Sequence, residues 1–208
     1  MTRGRVNCQM SVAVIKYAQG MTRWEPDSRG RLEMAALALY LEQGFDQTTV
    51  AEIAERAGLT ERTFFRHFAD KREVLFSGGS TFLALVTSAA AEADEELGPL
   101  DAAMAGFEAV GPFFQERRPL VQQRHSVIAA NAELQERELI KLRSLAVALA
   151  ETLRGRGVGD PTAGLIAEVA VAVFKTSFEV WVTDPESRDL AEVLRQSLSE
   201  LRVLASIT

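Results

Sequence analysis

Arg62 and Arg66 stand four residues apart in the run TERTFFRHF, residues 60–68, and helical spacing puts their guanidinium groups on one face. Thr63 shares that outward side, Phe64 and Phe68 fall on the opposite one, and Phe65 sits on the border. Like charges at this spacing repel slightly, so an isolated helix gains nothing from the pair. An arginine fork, however, matches O6 and N7 of guanine in a DNA major groove. Arg56, Lys71, Arg72 and a protonated His67 extend the positive patch, opposed only by Glu61 and Asp70. The whole chain carries a formal net charge of −6, which taken alone argues against a nucleic-acid coat. A basic patch on an acidic protein instead suggests groups awaiting an anionic partner. The plain alternative is that Arg66 pairs with Asp70 and Arg62 is a solvated surface charge.

The elements that must position these side chains are legible upstream and downstream. Asp27 or Ser28 can cap a helix with apolar positions Leu32, Ala35, Ala36, Leu39 and Tyr40, and Gly44 ends it with Phe45 folding back. Thr49 with Glu52 reads as a capping box for a short second helix, whose stripe is Val50, Ile53, Ala54 and Ala57. Gly58 supplies a turn and Thr60 caps the third helix. Positioning helix, turn and outward-facing second helix make a helix-turn-helix. Asp70 with Glu73 reads as another capping box, opening a long fourth helix towards Leu97.

After Gly98-Pro99 the helices lengthen: Leu100 to Gln115, Leu120 to Ala130 and Ala132 to Arg154. Asp160-Pro161 and Asp184-Pro185 pair an acidic cap with a first-turn proline and start two final helices, Thr162 to Val182 and Glu186 to Ala205. No strand-length alternation occurs, so the expected fold is all-α. The expected division is an N-terminal extension, 1–25, a helix-turn-helix domain, 26–76, and a second helical region, 77–208. The extension holds Arg3, Arg5 and Arg23 and a second methionine, Met21. A loose tail, a start at Met21, and a basic arm for the minor groove all remain open for it.

The composition excludes other classes. A hydrophobic share of 47% supports a real core, against intrinsic disorder. One cysteine, Cys8, and two histidines leave no internal disulfide and too few ligands for a structural zinc site. No metal or cofactor is expected. The apolar run Ser11 to Ala18 is short and broken by Lys16, and no stretch is read as spanning a bilayer, so a cytoplasmic location is expected. No catalytic triad, phosphate loop or metal motif points to an enzyme. A helical protein-binding adaptor without DNA binding is the rival reading, and it leaves the arginine patch unexplained.

The run TTVAEIAERAGLTERTFFRHFADKREVLF, residues 48–76, closely resembles the TetR family of bacterial transcriptional regulators, and with the preceding helix the resemblance covers residues 27–76. It implies that Thr49, Thr63 and Lys71 hold DNA phosphates, that Glu61 and Arg62 lie where bases are read, and that His67 lies near the backbone. Phe65 departs from the family, which usually has a tyrosine bonding a phosphate there; a phenylalanine can instead pack on a sugar or a thymine methyl. The resemblance also implies a homodimer on a palindromic operator, with the last two helices of each subunit forming a four-helix bundle. Apolar stripes suit that role: Leu190, Val193, Leu194, Leu198, Leu201 and Leu204 on one helix, and Leu165, Ile166, Val169, Val173, Phe174, Phe178 and Trp181 on the other. They suit the chain's own core equally. A small-molecule effector pocket is implied among the middle helices, with Phe82, Met104, Phe107, Phe114, His125, Ile128 and Phe178 as candidate lining. Plain core packing accounts for the same residues.

Overall fold

The structure is a computed structural model that describes residues 28–206, all helix, turn and loop without a strand. The N-terminal extension, 1–25, with its arginines and Met21, lies outside the described residues, and so does the Asp27 cap. Helix α1, Ser28–Gln43, buries Leu32, Ala35, Ala36, Leu37, Leu39 and Tyr40. It ends at Gly44, whose φ of +89° suits a residue without a side chain, and the Phe45 ring meets Tyr40 edge-on at 5.2 Å. Helix α2, Val50–Arg56, carries the expected capping box in full: the Thr49 side chain accepts from the Glu52 N–H while Glu52 accepts from the Thr49 N–H. It ends in a Schellman turn, with Leu59 N–H on Ala54 O at 2.8 Å and Gly58 N–H on Glu55 O at 2.9 Å. Gly58 adopts φ +65° there. Helix α3, Glu61–His67, starts from the Thr60 cap, whose hydroxyl accepts from Thr63 N–H, and buries Phe64.

The expected long fourth helix is broken. Asp70 does cap, accepting from the Arg72 and Glu73 N–H groups, but Glu73 turns away to Arg137 and Lys141. In its place stand one 3-10 turn, Glu73–Phe76, and then helix α4, Gly79–Ala91, which ends short of Leu97. The pair Gly78-Gly79 explains the break, since glycine weakens a helix interior by about 1 kcal/mol per residue. By length and composition alone the stretch Glu73–Ala91 is apolar enough to cross a membrane, a test that buried core helices also pass, but it is divided into the 3-10 turn and α4. Here its helix instead packs Val86 and Ala90 into the larger core.

The second region comprises α5, Pro99–Ala109, α6, Gly111–Glu116, α7, Arg118–Ala129, α8, Ala132–Gly155, α9, Thr162–Thr183, and α10, Leu190–Ser206. The single helix expected over Leu100 to Gln115 is split at Val110, because Pro112 lacks an N–H and cannot continue it. The last helix begins at Leu190 instead of Glu186: Asp184 accepts from Glu186 and Arg188 N–H groups to make a turn, and Asp189 becomes the cap, accepting from Ala191 N–H at 2.8 Å. Helices α4 and α5 touch at Gly106, where an added Cβ would stand 2.5 Å from the Val86 carbonyl oxygen. Gly106→Ala should therefore lower thermal stability, since overpacking costs about 1–3 kcal/mol against about 1 kcal/mol of helix propensity gained. A melting temperature equal to the parent's would show that the two helices can separate freely.

Two apolar cores organise the molecule. The larger joins α4, α5, α7, α8, α9 and α10. The smaller lies under α1–α3 and the 3-10 turn, but it is completed by Val127, Ile128 and Leu134 from the corner between α7 and α8.

Candidate nucleic-acid interface

The geometry of the helix-turn-helix rests on long-range bonds to its carbonyls. The Arg31 guanidinium reaches across from α1 and donates to the Ala57 carbonyl oxygen, and at 3.4 Å to that of Gly58, bracing the turn between α2 and α3. The Tyr40 hydroxyl donates to Lys71 O at 2.6 Å; its burial, with the Asp70 charge nearby, raises its pKa and keeps it protonated. Beside it, the Arg72 guanidinium bonded to Asp70 holds that carboxyl below the usual carboxylate range. Bonds from the Thr49 N–H and hydroxyl do the same for Glu52. Both caps thus stay ionised, which helps them hold helix N-termini.

On this frame the positive patch sorts itself. Arg56 forks onto Glu42 at 2.7 and 3.0 Å. Arg72 bridges Asp70 and Glu133. Lys71 donates to the carbonyls of Phe45, Asp46 and Thr48 at 2.8, 3.3 and 2.9 Å, and its ammonium lies 4.4 Å from the Phe45 ring centre. Its ammonium therefore grips the turn that leads into Thr49. Arg62 and Arg66 are exposed on α3, and among the described residues neither has an acidic partner. The alternative pairing of Arg66 with Asp70 is not formed, because Asp70 faces Arg72.

The other candidate contacts differ in exposure. Glu61 and Thr49 are exposed, Thr63 is half-buried beside Thr60 at 3.1 Å, and Phe65 is 55% exposed. His67 is half-buried, with Nε2 2.8 Å from the Ser28 hydroxyl, so it ties the end of α3 to the start of α1. These bonding roles of Arg31, Tyr40 and Ser28 escaped sequence reasoning, which read Ser28 only as a cap and Tyr40 only as core, because each acts more than twenty positions from its partner. Their residue types alone carry no such signal.

The candidate effector residues divide. Phe82, Phe114 and Phe178 are half-buried around Phe174, with ring centres 5.5–6.5 Å apart, and His125 meets Phe178 edge-on at 5.9 Å. Phe107 stacks on Phe174 at 4.6 Å, and Met104 is buried in the same core. Ile128 belongs elsewhere: it is 1% exposed within the smaller core under α1–α3, so it is corrected from pocket lining to the joint between the two regions. Concavities of about 540 and 270 Å³ lie against α1, lined by residues that include Met34 and Ala38.

Comparison with known proteins agrees with this architecture. Residues 34–77 match the model described as bacterial regulatory proteins, tetR family, and residues 97–204 match the MftR C-terminal domain. The chain is 28% identical over 162 residues to the protein named as mycofactocin biosynthesis transcriptional regulator MftR of Mycobacterium tuberculosis, covering 76% of this chain and 81% of that one. Over 83 residues it is 40% identical to the regulator TcmR of Streptomyces glaucescens, but that spans only 40% of this chain and 37% of TcmR. Among solved structures, FadR of Thermus thermophilus with lauroyl-CoA aligns at TM-score 0.54 and 25% identity, over 82% of this chain and 91% of FadR. SmeT, solved with triclosan and described as a Stenotrophomonas maltophilia efflux-pump repressor, aligns at TM-score 0.60 and 20% identity, over 84% and 91% of the two chains. With both regions matched and the helix-turn-helix in place, the chain belongs to the TetR family of bacterial transcriptional regulators.

Proposed function

We propose that this regulator is a homodimeric repressor that holds a palindromic operator through α3 and releases it when a small-molecule effector places an apolar group beside the aromatic cluster. The observation that carries the reading is the exposure of Arg62 and Arg66 on α3, unpaired with any carboxylate, beside neighbouring cations that all have partners. Residues 26–76 then act as the reading head, with phosphates held by Thr49 and Thr63 and the α2 and α3 N-termini. Lys71 acts as a positioning residue for Thr49. Residues 77–208 pair the subunits. Leu165, Val180, Val203 and Leu204 on α9 and α10 are 66%, 43%, 60% and 68% exposed, an apolar surface suited to a second copy. Pairing sets the two α3 helices about 34–36 Å apart, one DNA turn.

The effector site takes Phe82, Phe114, His125 and Phe178 as its wall. Lauroyl-CoA, the molecule held by FadR, suggests an acyl thioester as the first probe. Helix α7 supplies the coupling: His125 touches the aromatic cluster, while Val127 and Ile128 sit in the core of the head. A ligand that binds better to a mis-spaced head shifts the population off DNA, and a tenfold effect needs only about 1.4 kcal/mol of differential binding.

The test combines mobility shift on the gene's upstream DNA with emission of Trp181, isolated by Trp24→Phe since the chain has two tryptophans. Trp181 is fully buried 5.8 Å from Phe178. Salt-sensitive binding to a palindromic fragment, weakened about tenfold or more by lauroyl-CoA together with a change in Trp181 emission, is the expected result. No retardation of any duplex would refute the operator reading. Retardation indifferent to lauroyl-CoA, with unchanged emission, would refute the acyl effector.

A further inference from the structure

Phe65 occupies a position that neither phosphate binding nor core packing explains. It lies on α3 between the exposed Arg62 and Arg66 and is 55% exposed. Its ring meets the fully buried Phe64 edge-on, at 5.4 Å and 82°. That contact supports one side of the ring and leaves the rest facing outward. A phenyl ring has no donor for a phosphate oxygen, so it gains nothing from the contact a tyrosine hydroxyl would make there. The apolar feature that a base edge offers in the major groove is the 5-methyl group of thymine.

We propose that Phe65 is a specificity-determining residue that selects a 5-methylpyrimidine, thymine in ordinary DNA, next to the bases read by Arg62 and Arg66. The inference rests on the proposed operator binding and adds to it the chemistry of one base. Because 5-methylcytosine carries the same methyl at the same place, Phe65 accepts it in place of thymine at that step, provided no other side chain reads the exocyclic group. A sugar contact by the ring would be indifferent to the methyl, so the two readings separate.

The experiment first selects a duplex from a random pool with the full-length protein. Each thymine of the selected half-site is then replaced by deoxyuridine, which removes only the methyl. One position should show a loss of roughly three- to fivefold per half-site, and roughly ten- to twenty-fivefold when both half-sites are changed, the scale expected for one buried methyl group in each. Phe65→Ala should abolish the deoxyuridine penalty at that position, while Phe65→Leu, still apolar, should retain part of it. Circular-dichroism melting of both variants guards against misfolding. Deoxyuridine tolerated everywhere would overturn the proposal, and so would an unchanged penalty in a folded Phe65→Ala protein. A pool in which the parent enriches no duplex would instead refute operator binding itself.

Discussion

Arg62→Ala should reduce affinity for the selected operator by roughly 30-fold to 10⁴-fold, the effect of losing about 1–3 kcal/mol of base discrimination in each of two half-sites. Fluorescence anisotropy with operator and with unrelated duplex separates the contributions. Specific binding should fall far more than non-specific binding, and the preferred base at the Arg62 step should relax. Lys71→Ala is the contrast. Its ammonium holds the carbonyls of Phe45, Asp46 and Thr48, so losing it loosens the approach to Thr49 and the phosphates. That substitution should weaken all sequences alike. If both variants lost the same factor on every duplex, Arg62 would have no part in reading bases.

Arg118→Ala should destabilise the protein by about 3 kcal/mol or more, because a buried charged donor is worth about 1.5–3 kcal/mol per bond and several are lost together. The side chain is 7% exposed at the start of α7. It donates to the carbonyl oxygens of Trp181, Asp184 and Arg188 at 2.6, 3.0 and 3.0 Å, where α9 has run out of its own N–H partners. Its guanidinium also lies 4.7 Å from the Trp181 ring centre. Arg118→Lys should recover only part of the loss, since one compact ammonium cannot stack on the indole and span the same carbonyls. Urea unfolding followed by Trp181 emission measures both. A loss below about 1 kcal/mol for the alanine variant would mean that water replaces the guanidinium without difficulty.

The features legible in the chain unaided are mostly local. The Thr49–Glu52 box, the turn at Gly58, the Thr60 cap and the outward placing of Arg62 and Arg66 all depend on residues within a few positions of one another, and all are in the structure. Two helix breaks were also open to local reading and outweighed by apolar periodicity. Ser77-Gly78-Gly79 stops the fourth helix, and Gly111-Pro112 splits the next. Contacts across long loops carry no sequence period. Nothing near Arg118 signals that its partners are Trp181 and Asp184, and nothing near Ile128 signals that it belongs under α1. Ile128 and Phe178 are both large apolar residues on helices with similar stripes, so periodicity cannot tell a joint from a ligand wall. The aromatic cluster obeys the same logic: its membership comes from five helices, and only packing brings them together.

The corner between α7 and α8 has a consequence for how such proteins diversify. Because Val127, Ile128 and Leu134 close the core beneath α1–α3, the unit that grips DNA is assembled from chain segments some fifty positions apart. Grafting residues 26–76 onto another regulator's body would leave a hole where those three side chains belong. A working exchange has to carry the corner along with the front of the chain, so recombination at a single crossover is poorly matched to the physical boundary of the part being swapped.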